Sequence, residues 1–177
     1  MHPQKLAFLI INLMGGLAVI GSYVHGFIAH PENRQALWGG VPTGLIPVFT
    51  TGMLLAASGY CFLFFYILSL DPAQIRIWGR FGMPLLYVLY LMILLPSALW
   101  MPLTHAEIAN PTGLTWFLIK FVLWIVGIGA IALLTAMLNL EPQNPGWAYF
   151  VSVIGAMLIA FQTLVMDAII WVRFFRL

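Results

Sequence analysis

Charge is what this sequence has least of. Seven Lys and Arg and five Asp and Glu make up 7% of 177 residues, where a soluble domain carries about 25%. Hydrophobic residues reach 63%, and mean hydropathy is +1.02. A chain so poor in charge has too little polar surface to cover itself in water, so the bilayer is its expected solvent. The net charge of +2, with no basic run, excludes nucleic acid as an expected partner. A single cysteine, Cys61, excludes an intrachain disulfide. No Asn-x-Ser/Thr sequon occurs, because Asn110 precedes Pro111. No Gly-rich phosphate loop or nucleophile motif is present either, and no strand is expected.

What is present is five long apolar runs, at roughly 6–28, 46–70, 82–103, 113–139 and 147–172. Each exceeds the ~20 residues a helix needs to cross ~30 Å of hydrocarbon. The expected fold is all-α, a polytopic integral membrane protein with five transmembrane helices in one bundle spanning 1–177. Lys5 followed by an apolar run imitates a signal peptide, but the run reads as a retained first helix. Five spans put the two ends of the chain on opposite sides, here called side A (N-terminal) and side B. Lys5, Arg76 and Arg80 fall on side A; Arg34, Arg173 and Arg176 fall on side B. That tie leaves orientation undecided by the positive-inside rule, with the Arg76–Arg80 cluster leaning to side A as cytoplasmic. Most tryptophans read as interfacial anchors.

Lys120 interrupts the fourth run. Asn110-Pro111 reads as an N-cap followed by a first-turn proline, which puts Lys120 about nine residues in from side B. The fifth run carries Asp167 near the same side, so antiparallel neighbours would bring the two to similar depth. The small and polar stripe Ser152, Ala156, Ala160, Thr163 and Asp167 would face Trp116, Lys120, Gly127 and Ala130. The expectation is a Lys120–Asp167 pair, either structural or lining a pocket, against the alternative in which Lys120 snorkels to the side B headgroups and Asp167 meets Arg173, interfacial water or lipid.

Polar residues concentrate at side B: Ser22, Tyr23 and His25; Thr50 and Thr51; Ser97, Trp100 and Thr104; Gln162, Thr163 and Asp167. A ligand cavity is therefore expected to open there, with the 29–46 connection and its Trp38 as a lid. Lys120 would hold an anionic group and Asp167 would orient it, while Trp38, Trp100 and Trp116 would form flat apolar walls. His25, Ser97 and Thr163 complete the candidate ligand-binding set. Two His-x-Glu triplets, His30–Glu32 and His105–Glu107, offer metal ligands but lack a dedicated spacing; solvated loop residues are the expectation, and no metal is assigned. Haem would need facing histidines, and only His25 comes close. The stretches "HPENRQALW…LDPAQ" and "HAEIANPTGLTW…LEPQN" hint at a parallel two-helix repeat offset by about 70 to 78 residues.

"PVFTTGMLLAASGY" (Pro47 to Tyr60) is similar to the proline-valine-tryptophan-threonine opening of the second helix in the TspO (translocator protein, tryptophan-rich sensory protein) family, with Phe49 at the tryptophan. "LPSALWMPL" (Leu95 to Leu103) resembles that family's leucine-asparagine-x-x-tryptophan stretch, with Ser97 at the asparagine and the spacing to Trp100 kept. The fifth run lacks that family's proline-tyrosine-x-x-tryptophan pattern. The resemblance implies a five-helix bundle binding a lipophilic ligand such as a porphyrin or sterol. Three function classes follow. In the first, the chain binds or transports a lipophilic or amphipathic molecule, alone or as a homo-oligomer. In the second, it is a non-catalytic subunit or assembly factor of a membrane complex. The third is a lipid-modifying enzyme, which would need His25, His105 or Asp167 to converge.

Overall fold

A computed structural model describes residues 2–143 and 146–175. Arg176 of the side B charges and Asn144 of "LEPQN" lie outside the described residues. Five spans are present: α1 (Pro3–Ala29), α2 (Ile46–Ser69), α3 (Met83–Ala109), α4 (Gly113–Leu138) and a fifth, Trp147–Phe175. All five are long and apolar enough to cross a membrane. At 1.5 Å per residue the 27-residue α1 is about 40 Å long, enough for the hydrocarbon and part of an interface. The all-α bundle follows from the composition, because only internally bonded helices leave no polar backbone facing lipid.

The order around the bundle is α1, α3, α4, the fifth span, α2, with a light α1–α2 contact closing the ring. Glycines set the tightest crossings. A Cβ on Gly59 of α2 would stand 2.6 Å from the Gly155 Cα of the fifth span. One on Gly129 of α4 would stand 3.0 Å from the Met92 Cβ of α3. Ser152, the first residue of the fifth span's small stripe, faces α2: its hydroxyl donates to the Phe62 and Ala148 carbonyls at 3.4 and 2.7 Å. The expectation that this stripe faces α4 is corrected in that respect. A buried polar tie joins α1 to α2, where Tyr60 hydroxyl donates to Asn12 Oδ1 at 2.5 Å.

Several boundaries differ from expectation. α3 runs through Pro96 and Pro102 to Ala109, so His105 and Glu107 are helical and buried rather than solvated loop residues. Glu107 accepts hydrogen bonds from Thr112 N at 3.1 Å and from the Thr115 hydroxyl. It therefore closes the turn into α4, whose N-cap is Thr112 and not Asn110; the Thr112 hydroxyl accepts from Thr115 N at 3.0 Å. On side A, β1 (Arg76–Ile77) and β2 (Leu140–Glu141) form a small antiparallel pair that the sequence reading did not anticipate. The two His-x-Glu triplets occupy different secondary structure, a 3-10 turn (Pro31–Asn33) and the end of α3, which removes structural equivalence from the proposed repeat.

The fifth span changes character half-way. After α5 (Trp147–Ala160) comes a π-helix, Phe161–Trp171, and then a last α-turn, α6 (Val172–Phe175). Nothing in the hydrophobic pattern announced it.

Candidate functional site

A cavity of about 210 Å³ opens at the side B end of the bundle, and all five spans contribute to its wall. α1 supplies Tyr23 and Phe27, α2 Thr50 and Met53, and α3 Ser97, Trp100 and Met101. Leu123 and Val126 come from α4, and Thr163, Asp167 and Trp171 from the π-helix. Arg34, Leu37 and Trp38 of the first side B connection complete it. Of the candidate set, Trp38, Ser97, Trp100, Thr163 and Asp167 line this cavity; Lys120, Trp116 and His25 do not.

The connection is held over the cavity by the end of the fifth span. Trp171 Nε1 donates to the Leu37 carbonyl at 3.1 Å, and Gly40 N donates to the Phe174 carbonyl at 2.8 Å. Gly39 has φ +54°, and a Cβ there would fall 2.6 Å from the Phe175 backbone, so glycine is required twice over. Arg34 donates to the Phe27 carbonyl at 3.1 Å, which ties the other end of the connection back to α1.

The π-helix builds the polar centre. Gln162 and Asp167 are five residues apart. On an α-helix that spacing rotates one side chain about 140° from the other. The wider turn, with its i to i+5 bonding, brings both to one side. Gln162 Nε2 then donates to Asp167 Oδ1 at 2.9 Å. The amide is pinned from behind by α2, where a Cβ on Gly52 would collide with Gln162 Oε1. Gln162 Oε1 is buried without a hydrogen-bond partner, as is the indole N–H of Trp100. Among the described residues, Asp167 accepts only the Gln162 bond.

The Lys120–Asp167 pair is not formed. Lys120 Nζ lies 5.6 Å from the centre of the Trp116 ring, one turn before it on α4. The reason is register. Gly127 of α4 meets Leu164 of the π-helix, where a Cβ would stand 3.1 Å from the Leu164 Cα. From that crossing Lys120 lies seven residues, or about 10 Å, toward side B, and Asp167 only three residues, or about 4 Å. The two sit at depths about 6 Å apart. Trp116 is not a cavity wall but stacks on Phe175 at 5.7 Å and 13°. A run of rings continues from there: Phe175–Trp171 at 4.4 Å, Trp171–Trp100 at 5.4 Å and Trp100–Tyr23 at 5.7 Å.

His25 lines a separate cleft between α1 and α3 with Ser22, Gly26, His30, Met101 and His105. His30 packs 4.6 Å from His105 and 6.5 Å from His25, centre to centre, and contacts Glu32 at 3.5 Å. Both His105 nitrogens are buried without a partner. Among the described residues no group of three His, Cys, Asp or Glu is arranged to hold a metal ion. Glu107 turns away to cap α4, so the metal candidates His30, Glu32, His105 and Glu107 do not act as one set. His25 and His105 share this cleft while Asp167 lines the other, so the convergence required of a lipid-modifying enzyme is not formed. A wider, shallower recess on side A, between Asp71, Gln74, Glu141 and Trp147, takes in none of the candidate residues.

The liners outside the candidate set are Tyr23, Phe27, Arg34, Leu37, Thr50, Met53, Met101, Leu123, Val126 and Trp171, of which Tyr23 and Thr50, like Gln162 beside Asp167, belong to the polar end read from the sequence. One signal was available: a Gln and an Asp five apart in an otherwise apolar run. Compared with known family models, curated proteins and solved structures, the chain matches none.

Proposed function

We propose that the chain is an integral membrane protein that binds or transports a compact lipophilic or amphipathic small molecule in the side B cavity. The observation that carries this reading is the cavity's composition. Apolar and aromatic walls from all five spans surround the Asp167 carboxylate, whose second oxygen has no hydrogen-bond partner among the described residues. Ligand sites share this pattern of mostly apolar lining with a small number of placed polar groups. Intramembrane ionisable residues are functional candidates by default, since burying one without a partner is costly. The resemblance to the TspO family pointed to a porphyrin or sterol. A cavity of about 210 Å³ falls below the ~300–1,000 Å³ usual for drug-sized ligands, which favours a smaller molecule or one end of a longer amphiphile. Lys120 has no part in this reading.

The test is to purify the protein in mild detergent, record its absorption spectrum and identify extracted molecules by mass spectrometry. A stoichiometric small molecule, retained about tenfold less by Asp167→Asn and unchanged by Lys120→Met, is the expected result. An empty protein that co-purifies with a stoichiometric protein partner would replace this reading with that of a complex subunit.

A further inference from the structure

Resting on that cavity, we propose that its ligand is a compact organic cation, a quaternary or protonated amine with an apolar body. Five aromatic side chains line the space: Tyr23, Phe27, Trp38, Trp100 and Trp171. Aromatic side chains enclosing a small volume are the usual means of recognising an alkylammonium group, because each ring face carries partial negative charge. Asp167, when ionised, adds a full one. Its carboxylate stands in the apolar part of the bundle, and among the described residues no cation lies within 4.0 Å of it. Gln162 fixes its orientation through Oδ1, and among the described residues no donor is hydrogen-bonded to the other oxygen, with the Tyr23 hydroxyl in the same cavity wall. An ordinary structural aspartate in a membrane span is paired with a Lys or Arg. Here none of the side B cations among the described residues is ion-paired with it, and Arg173, six residues on, is exposed at the end of the span. Lys120 is over Trp116, about 6 Å nearer side B, and Arg34 is exposed at the rim, donating to the Phe27 carbonyl. The site thus has a carboxylate without its counter-charge and a cage suited to supply the rest of the contact surface.

An anionic ligand would instead meet Asp167 at close range in a medium of low dielectric, where like charges repel strongly. Arg34 could attract such an ion only from its hydrated position at the mouth, where the field is screened. The rim arginine also sets a preference among cations. It opposes small hydrated ions at the entrance, and a cation with enough apolar surface to leave water readily overcomes that opposition.

The full-length protein in mild detergent would be titrated with benzyltrimethylammonium and with its uncharged carbon isostere, neopentylbenzene, following tryptophan fluorescence. Benzenesulfonate would serve as the anionic arm. The expected result is that the cation binds at least about tenfold more tightly than the isostere, equivalent to about 1.4 kcal/mol. Asp167→Asn should abolish that preference while the isostere still binds. Equal or tighter binding of the isostere to the native protein would overturn the cation proposal and leave the cavity reading standing. Tighter binding of the sulfonate would overturn it in favour of an anion site under Arg34. Binding of none of the three would remove the cavity reading and this proposal together. The isostere comparison is made on the native chain, so it decides the matter even if Asp167→Asn fails to fold.

Discussion

Trp171 does two things at once. Its indole N–H holds the Leu37 carbonyl of the side B connection, and its ring packs between Trp100 and Phe175. Trp171→Phe keeps most of the ring packing and leaves the Leu37 carbonyl without its donor. A hydrogen bond of this kind contributes about 0.5–1.5 kcal/mol. The expected outcome is a modest fall in thermal stability with faster proteolysis within 30–45; an unchanged cleavage rate would mean that the bond does not hold the connection. Lys120 and Asp167 make the second prediction at this scale. Because they sit about 6 Å apart in depth and share no partner, Lys120→Met and Asp167→Asn should change stability additively within about 0.5 kcal/mol in a double-mutant cycle. A coupling well above that would restore the ion pair. Both residues were legible as unusual from the sequence, since each breaks an apolar run. Their separation was not, because counting from segment centres assumes that the two helices cross at mid-span, whereas Gly127 of α4 meets Leu164 of the fifth span.

Elements pack here through their glycines. The α2 crossing of the fifth span leaves no room for a methyl group: a Cβ on Gly155 would stand 2.6 Å from the Gly59 carbonyl oxygen and 2.8 Å from the Gly59 Cα. Gly155→Ala must push the two backbones apart, at a cost of about 1–3 kcal/mol. Gly16, on α1, meets nothing within 4 Å, so Gly16→Ala is the matched control and should shift stability by no more than about 0.5 kcal/mol. Equal melting temperatures for the two variants would mean that the α2 crossing is not formed as described. The stripe Ser152, Ala156, Ala160 could be read from spacing alone as a close-packing surface, but not which neighbour it serves. Small residues permit approach without naming a partner. The π-helix is the element that decides the site, and it was illegible for a similar reason. Hydrophobicity does not tell α from π bonding, and the wider turn is seen only with Gln162 packed against Gly52 and Leu164 against Gly127 in the folded bundle.

At the scale of the whole molecule the bundle is a ring of five spans with apolar side chains such as Leu17, Leu54, Phe65 and Phe117 exposed around its outside. In water this would be a large interaction surface, and in a bilayer it is the lipid-facing belt. The first and second connections are separated by one span, α2, and so lie on opposite sides. With Cys61 changed to Ser, single cysteines at Glu32 and Asp71, both exposed, should react with an impermeant maleimide from opposite faces of the membrane. Labelling of both from one face would exclude the five-span topology. Composition and run length were enough to determine the solvent, the fold class and the number of spans, because each depends only on how many consecutive residues avoid water. They also placed the polar residues at one end, since position along a helix is position along its axis. Only the tertiary structure decided which of those residues meet. Azimuth and register depend on where glycines let backbones touch and where a helix widens its turn, and neither is encoded in hydrophobicity. So Asp167 lines a cavity with Trp38, Trp100 and Trp171 rather than pairing with Lys120. His25, near it along the axis, lies in another cleft.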